Sequence, residues 1–248
     1  MRSSISNKRY STKKVYGLIF WIIFWHISSY IIDNGMLLPS PLDVVKSLVD
    51  LLKTKDLYVA LINTFIRIIS GFFLGSILGI ILSILSYRFN FFKNLIEPFI
   101  LIIKATPIVS IIILALVWIS SKNLSIFIAF LMVLPAMYTN ILEGLENTDK
   151  KMLEMAKVFR LKGYKLVRYI YIPSVKPYLV AAASLAFGLS WKAGVAAEVI
   201  GLPSGTIGAS LYTSKIYLNT PELFAWTVLI VVISFTFEKL LISLLNRI

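Results

Sequence analysis

The chain has no cysteine, one histidine and few acidic residues. Without cysteine there is no disulfide framework and no thiolate metal site. The single histidine, His26, sits inside an apolar run, where a packed or interfacial side chain is the better reading than a ligand or a base. No GxxxxGK[ST] stretch occurs, so the usual loop for cradling nucleotide phosphates is missing. Charge itself is scarce: 15% of the 248 residues, against roughly a quarter in a soluble domain. No catalytic residue, no metal site and no cofactor bound by this chain are expected.

What is present is apolar and basic. Hydrophobic residues make up 58% of the chain, and the mean hydropathy is +0.84. Lys and Arg number 25 against 12 Asp and Glu, a formal net charge of +13. A nucleic-acid binder would gather that charge on a soluble surface. Here it is interrupted by runs of Ile, Leu and Phe, the pattern of a membrane protein with basic loops on one side. Lipid is the expected surrounding, and nucleic acid is not a partner.

Six runs have the length to cross a bilayer, at about 20 residues each. They are 15–32, then Ala60–Ser86, Leu95–Ile119, Leu124–Leu142, Pro177–Ile200 and Leu223–Leu245. Lipid offers no hydrogen-bond partners, so each is expected to be a helix. The fold class is all-α and polytopic. The segments are a basic head 1–14, a first transmembrane helix 15–32, an outer segment 33–59, a five-helix core 60–245 containing a loop 143–173, and a tail 246–248. The first run is long and aromatic and ends without a small-residue cleavage site, so it is read as a retained helix.

Basic residues set the topology. The head carries Arg2, Lys8, Arg9, Lys13 and Lys14, and the central loop carries eight more from Lys150 to Lys176. Lys and Arg accumulate on the cytoplasmic face, so both termini and the central loop are expected there. On the other side, Pro39, Ser40 and Pro41 start a short helix with Val44, Val45, Leu48, Leu51 and Leu52 at helical spacing.

The stretch "EMAKVFRLKGYKLVRYIYIPSVKPY", Glu154–Tyr178, is too charged to span. Its periodicity fits an interfacial helix anchored in headgroups and fits a docking helix for a cytoplasmic partner equally well. The stretch resembles the coupling loop of permease subunits in bacterial ABC importers, whose pattern is Glu-Ala-Ala, three residues, Gly, nine residues, Ile-x-Leu-Pro. Glu154, Ala156, Ile170, Ile172 and Pro173 match it. Met155 replaces an Ala, Arg160 stands at the Gly position, and Gly163 is available for the bend. "IKATPIVSIIILALVWI", "FGLSWKAGVAAEVIG" and the run from Gly205 to Leu240 are similar to segments of nitrate, sulfonate, taurine and thiamine-precursor importer permeases.

That resemblance implies a six-helix permease of the type I importer kind, with a cytoplasmic two-helix coupling loop. It would work as a homodimer in a bacterial cell membrane, with two ATP-binding cassette subunits and an extracellular substrate-binding protein. ATP and Mg belong to the partner ATPase. Coupling would fall to Leu153, Glu154, Ala156, Phe159, Arg160, Gly163 and Pro173.

Charges inside the spans add candidates for the translocation path. A charge at mid-bilayer costs at least about 2.5 kcal/mol unless it faces protein or water. Lys192, Glu198 and Lys104 lie in such runs, Pro107 can kink the third, and Trp191 adjoins Lys192. Lys192 suits an anionic cargo such as a sulfonate, taurine or nitrate. A thiamine or pyrimidine precursor, or another small organic solute, is the alternative within the same importer type. An ATPase-independent channel or secondary carrier is the alternative outside it, for which no inverted repeat is visible.

Overall fold

The computed structural model describes residues 3–247, the side chains of 3–15, 18, 246 and 247 excepted. The charged groups of the basic head 1–14 and of the tail 246–248 lie outside the described residues. The described residues form helices and turns and no strand. They divide into two compact units.

One unit holds α1 (Ser3–Ile32), α2 (Pro41–Leu52) and the segment Ser210–Ile230. The turn after α1 folds back on it. The Trp25 indole N–H donates to the Pro39 carbonyl at 3.1 Å, and Ser29 Oγ donates to that of Leu38 at 2.9 Å. The Trp25 ring stacks on Phe224, and Thr220 Oγ1 donates to the Met36 carbonyl.

Helix α2 begins where the sequence signals it. Pro41 opens the first turn, while Ser40 Oγ accepts from the Asp43 N–H and donates to the Asp43 carboxylate at 2.7 Å. That hydroxyl is the main cause holding the Asp43 carboxyl below its usual value. The cap is therefore at full strength at neutral pH and weakens as pH falls through the lowered value.

The other unit runs Val59–Ala209 and adds Val231–Ile248. It takes most of α3 (Lys55–Arg88), then α4 (Asn90–Ala105), α5 (Ile108–Ala115), α6 (Ser121–Glu146), α7 (Lys150–Val158) and α8 (Tyr164–Gly201). Helices α9 (Ile207–Ile216) and α10 (Thr220–Arg247) complete the chain. Four helices, α3, α6, α8 and α10, are long and apolar enough to cross a membrane. The described apolar part of α1, Ile19–Ile32, is shorter.

The third expected span is not one rod. Helices α4 and α5 meet at a 102° bend, and they make a fifth span only if taken together. Pro107 is the cause. It has no N–H to donate and it drives Thr106 into the extended region, at φ −80° and ψ 129°. The fifth span starts earlier than its apolar run: α8 begins at Tyr164 and passes through a π turn, Val167–Tyr171, just before Pro173. The proline therefore lies within a continuing helix.

Packing in lipid gains little from the hydrophobic effect, so close approach decides which helices pair. Gly71, Gly75 and Gly79 line one face of α3 against α6. A Cβ at Gly75 would lie 2.7 Å from the Phe130 carbonyl oxygen, and one at Gly79 would lie 2.8 Å from Met137 Cβ. Helix α8 turns Ala182, Ala183, Ala186, Ala193, Gly194 and Ala197 inward. The last turns of that face meet Ile112 and Ala115 of α5 and Leu124 and Ile128 of α6 in one buried cluster.

Candidate coupling and translocation sites

The central loop is built from two helix ends. Asp149 caps α7, its Oδ1 accepting from the Lys151 N–H at 2.8 Å. At the other end the Arg160 N–H donates to the Lys157 carbonyl and the Leu161 N–H to that of Ala156, at 3.0 and 2.8 Å. This is a Schellman closure, with Arg160 at the left-handed position, φ 52°. Glycine suits that position because it has no Cβ to clash. Arg160 therefore keeps the backbone shape that a glycine would supply there. Gly163, at φ 55° and ψ −129°, then turns the chain into α8.

The loop residues separate into two sets. Ala156 is 1% exposed, enclosed by its own chain, and Leu153 is half-buried. Met152, Met155, Val158 and Phe159 are exposed, the last two at 80% and 70%. Glu154, Arg160, Gly163 and Pro173 are exposed as well. The small side chain of Ala156 thus serves packing within the loop, while an apolar strip beside Glu154 faces outward.

The path candidates separate similarly. Lys192 is exposed on α8, sharing a face with Leu185 and Leu189. Lys104 is exposed near the end of α4, its Nζ donating to Thr139 Oγ1 at 3.4 Å. Among the described residues neither has an ion-pair partner. Pro107 is exposed at the α4–α5 break. Trp191 lies inside the fold at 1% exposure, stacked on Phe187 with centroids 6.2 Å apart.

Glu198 is fully enclosed. Thr64 Oγ1 donates to its Oε2 at 2.7 Å, and the Gly208 N–H donates to the same oxygen at 3.3 Å. The Ile207 N–H in turn donates to Thr64 Oγ1 at 3.0 Å. Asn63 Nδ2 donates to the Gly205 carbonyl beside them at 2.9 Å. A Cβ at Gly208 would collide with that of Glu198. The carboxylate thus clips the Gly201–Gly208 turn to α3. Thr64, Asn63 and Gly208 were not singled out from the sequence. Gly208 is marked only as part of the glycine-rich turn "GLPSGTIG", which does not say what it approaches, and nothing in the sequence marks Asn63 or Thr64.

Residues 71–248 match a family model described as "Binding-protein-dependent transport system inner membrane component". The chain belongs to that family. A probable ABC transporter permease protein of Brucella melitensis is 27% identical over 209 residues, covering 84% of this chain and 85% of the relative. A putative aliphatic sulfonates transport permease protein of Bacillus subtilis is 24% identical over 238 residues, covering 94% and 85%. A bicarbonate transport system permease protein of Synechococcus elongatus is 24% identical over 213 residues, covering 81% and 75%. The permease is accordingly an inner-membrane, non-catalytic transport component. Membership in a binding-protein-dependent system implies ATPase and substrate-binding partners.

Proposed function

We propose that this permease forms the translocation path of an ATP-driven importer for a small anionic solute, working as a homodimer above two ATPase subunits. ATP and Mg act in those partners, and an extracellular binding protein delivers the cargo. The observation that supports the cargo class is the pair of exposed lysines, Lys104 and Lys192, each within an expected membrane span. A mid-bilayer cation costs at least about 2.5 kcal/mol against lipid, so each of the two is better suited to face water or a second subunit. A basic lining would lower the barrier for an anion. The named cargoes of two relatives, aliphatic sulfonates and bicarbonate, are anions.

The ATPase stroke would enter through Glu154–Pro173. Support comes from the outward strip Met152, Met155, Val158 and Phe159, since exposed Met and Phe make good interface anchors. The test is uptake in proteoliposomes holding permease, ATPase and binding protein. Lys192→Gln is expected to slow uptake of a labelled sulfonate at least fivefold while ATPase co-purification stays unchanged. Undiminished anion uptake by that variant would reject the anionic path.

A further inference from the structure

Two tyrosines join the central loop to a helix far from it in sequence. Tyr171 closes the π turn Val167–Tyr171, and Tyr87 sits in the last turn of α3, 84 residues away. Their hydroxyls meet at 3.3 Å, and their rings pack edge to face with centroids 5.9 Å apart. We propose that Tyr87 is a positioning residue that takes the movement of the central loop from Tyr171 and passes it to α3 and α4.

The π turn gives this junction room to move. It holds one residue more than a regular helical turn, and such insertions are frequent at functional sites. Taking up that residue would rotate the chain before it by about 100° relative to the rest of α8. Ile170 is 3% exposed and Tyr171 half-buried, while Val167, Arg168 and Tyr169 face outward. Ile170 and Tyr171 are therefore the residues by which the turn engages the bundle. Beyond them, Tyr87 packs on a buried cluster of Ile100 and Ile103 from α4 with Leu134, Tyr138 and Leu142 from α6. The Tyr138 hydroxyl donates to Ser86 Oγ at 3.1 Å, which ties the end of α3 to α6. Ile103 adjoins Lys104, one of the two path lysines. Close-packed side chains pass a displacement on because they compress little. A continuous route thus runs from the loop through Tyr171, Tyr87 and that cluster to α4. The inference rests on the proposed entry of the ATPase stroke through Glu154–Pro173, and not on the cargo.

The test uses the permease–ATPase complex in nanodiscs, with a single thiol from Ala105→Cys, exposed at the end of α4. Its maleimide labelling rate is measured without nucleotide and with ATP plus vanadate, which traps the ATPase in mid-cycle. Trapping is expected to change the rate at least about fivefold, the size of one neutral hydrogen bond. Tyr87→Phe and Tyr171→Phe each keep the ring and remove one hydroxyl. Each should cut that response to under about twofold while ATPase pull-down and ATP turnover persist. A full response in both variants overturns the proposal and leaves α8 as the carrier. No response in the Ala105→Cys protein itself overturns it too, since α4 then does not follow the loop. ATP turnover lost together with the response would give the pair a purely structural role, which also overturns it. Phe159→Ala separates this inference from the reading beneath it. If that variant keeps full pull-down, the loop is not the seat of the ATPase and both fail. If its pull-down falls while the tyrosine variants respond fully, this inference alone fails.

Discussion

A carboxyl group inside a membrane helix has to be satisfied by protein, because lipid supplies no donors. Glu198 meets that demand at one oxygen: Oε2 accepts from Thr64 and the Gly208 N–H, while Oε1 is buried with no hydrogen-bond partner among the described residues. Glu198→Ala would leave the Thr64 hydroxyl and the Gly208 N–H without their acceptor, at a cost of roughly 1–3 kcal/mol. The expected result is a permease with a lower thermal midpoint in detergent, with the turn Gly201–Gly208 exchanging its amide hydrogens faster. An unchanged midpoint and unchanged exchange would deny the clip. The sequence marks Glu198 as costly but not as clipped, because its partners lie 134 residues upstream at Thr64 and 10 downstream at Gly208. Lys192, six positions earlier on the same helix, has the opposite environment, and linear spacing separates the two only as different helix faces.

At the scale of elements, helix existence was legible and helix shape less so. Length and hydropathy locate α3, α6, α8 and α10 because those depend on each run alone. The 102° break needs the structure, since Pro107 announces a kink but not its angle. The GxxxG spacing of Gly71, Gly75 and Gly79 was readable as a contact face but not its partner, α6. Helix α7 shows the same limit: periodicity marks Ala156 and Phe159 alike, yet one is enclosed and the other outward. Their substitutions should therefore act differently. Ala156→Leu forces volume into a filled site, typically about 1–3 kcal/mol, and should lower the stability of the permease even without ATPase. Phe159→Ala removes an exposed aromatic anchor and should leave that stability alone while reducing ATPase pull-down about tenfold. If Phe159→Ala retains full pull-down and ATP turnover, α7 is a headgroup anchor and not a docking helix.

For the whole molecule, orientation follows from charge that no single helix carries. Lys and Arg concentrate in the head and in the loop between α6 and α8. The positive-inside bias would put both on the cytoplasmic side, and the strip on α7 would then lie within reach of an ATPase. The segment bearing α2 then faces outward, where Asp43, Asp50 and Asp56 partly offset Lys46, Lys53 and Lys55. The chain has no native thiol, so single cysteines report position without background. Ser6→Cys and Asn246→Cys should resist a membrane-impermeant maleimide in intact cells and react after lysis. Thr54→Cys, exposed just after α2, should react in intact cells. If all six expected spans cross, both terminal sites behave alike, because an even number of crossings returns the chain to its starting side. Protection of one with labelling of the other would mean an odd count, and α4 and α5 would then form a re-entrant hairpin instead of a span. Labelling of both from outside would invert the molecule, and α7 could no longer meet a cytoplasmic ATPase.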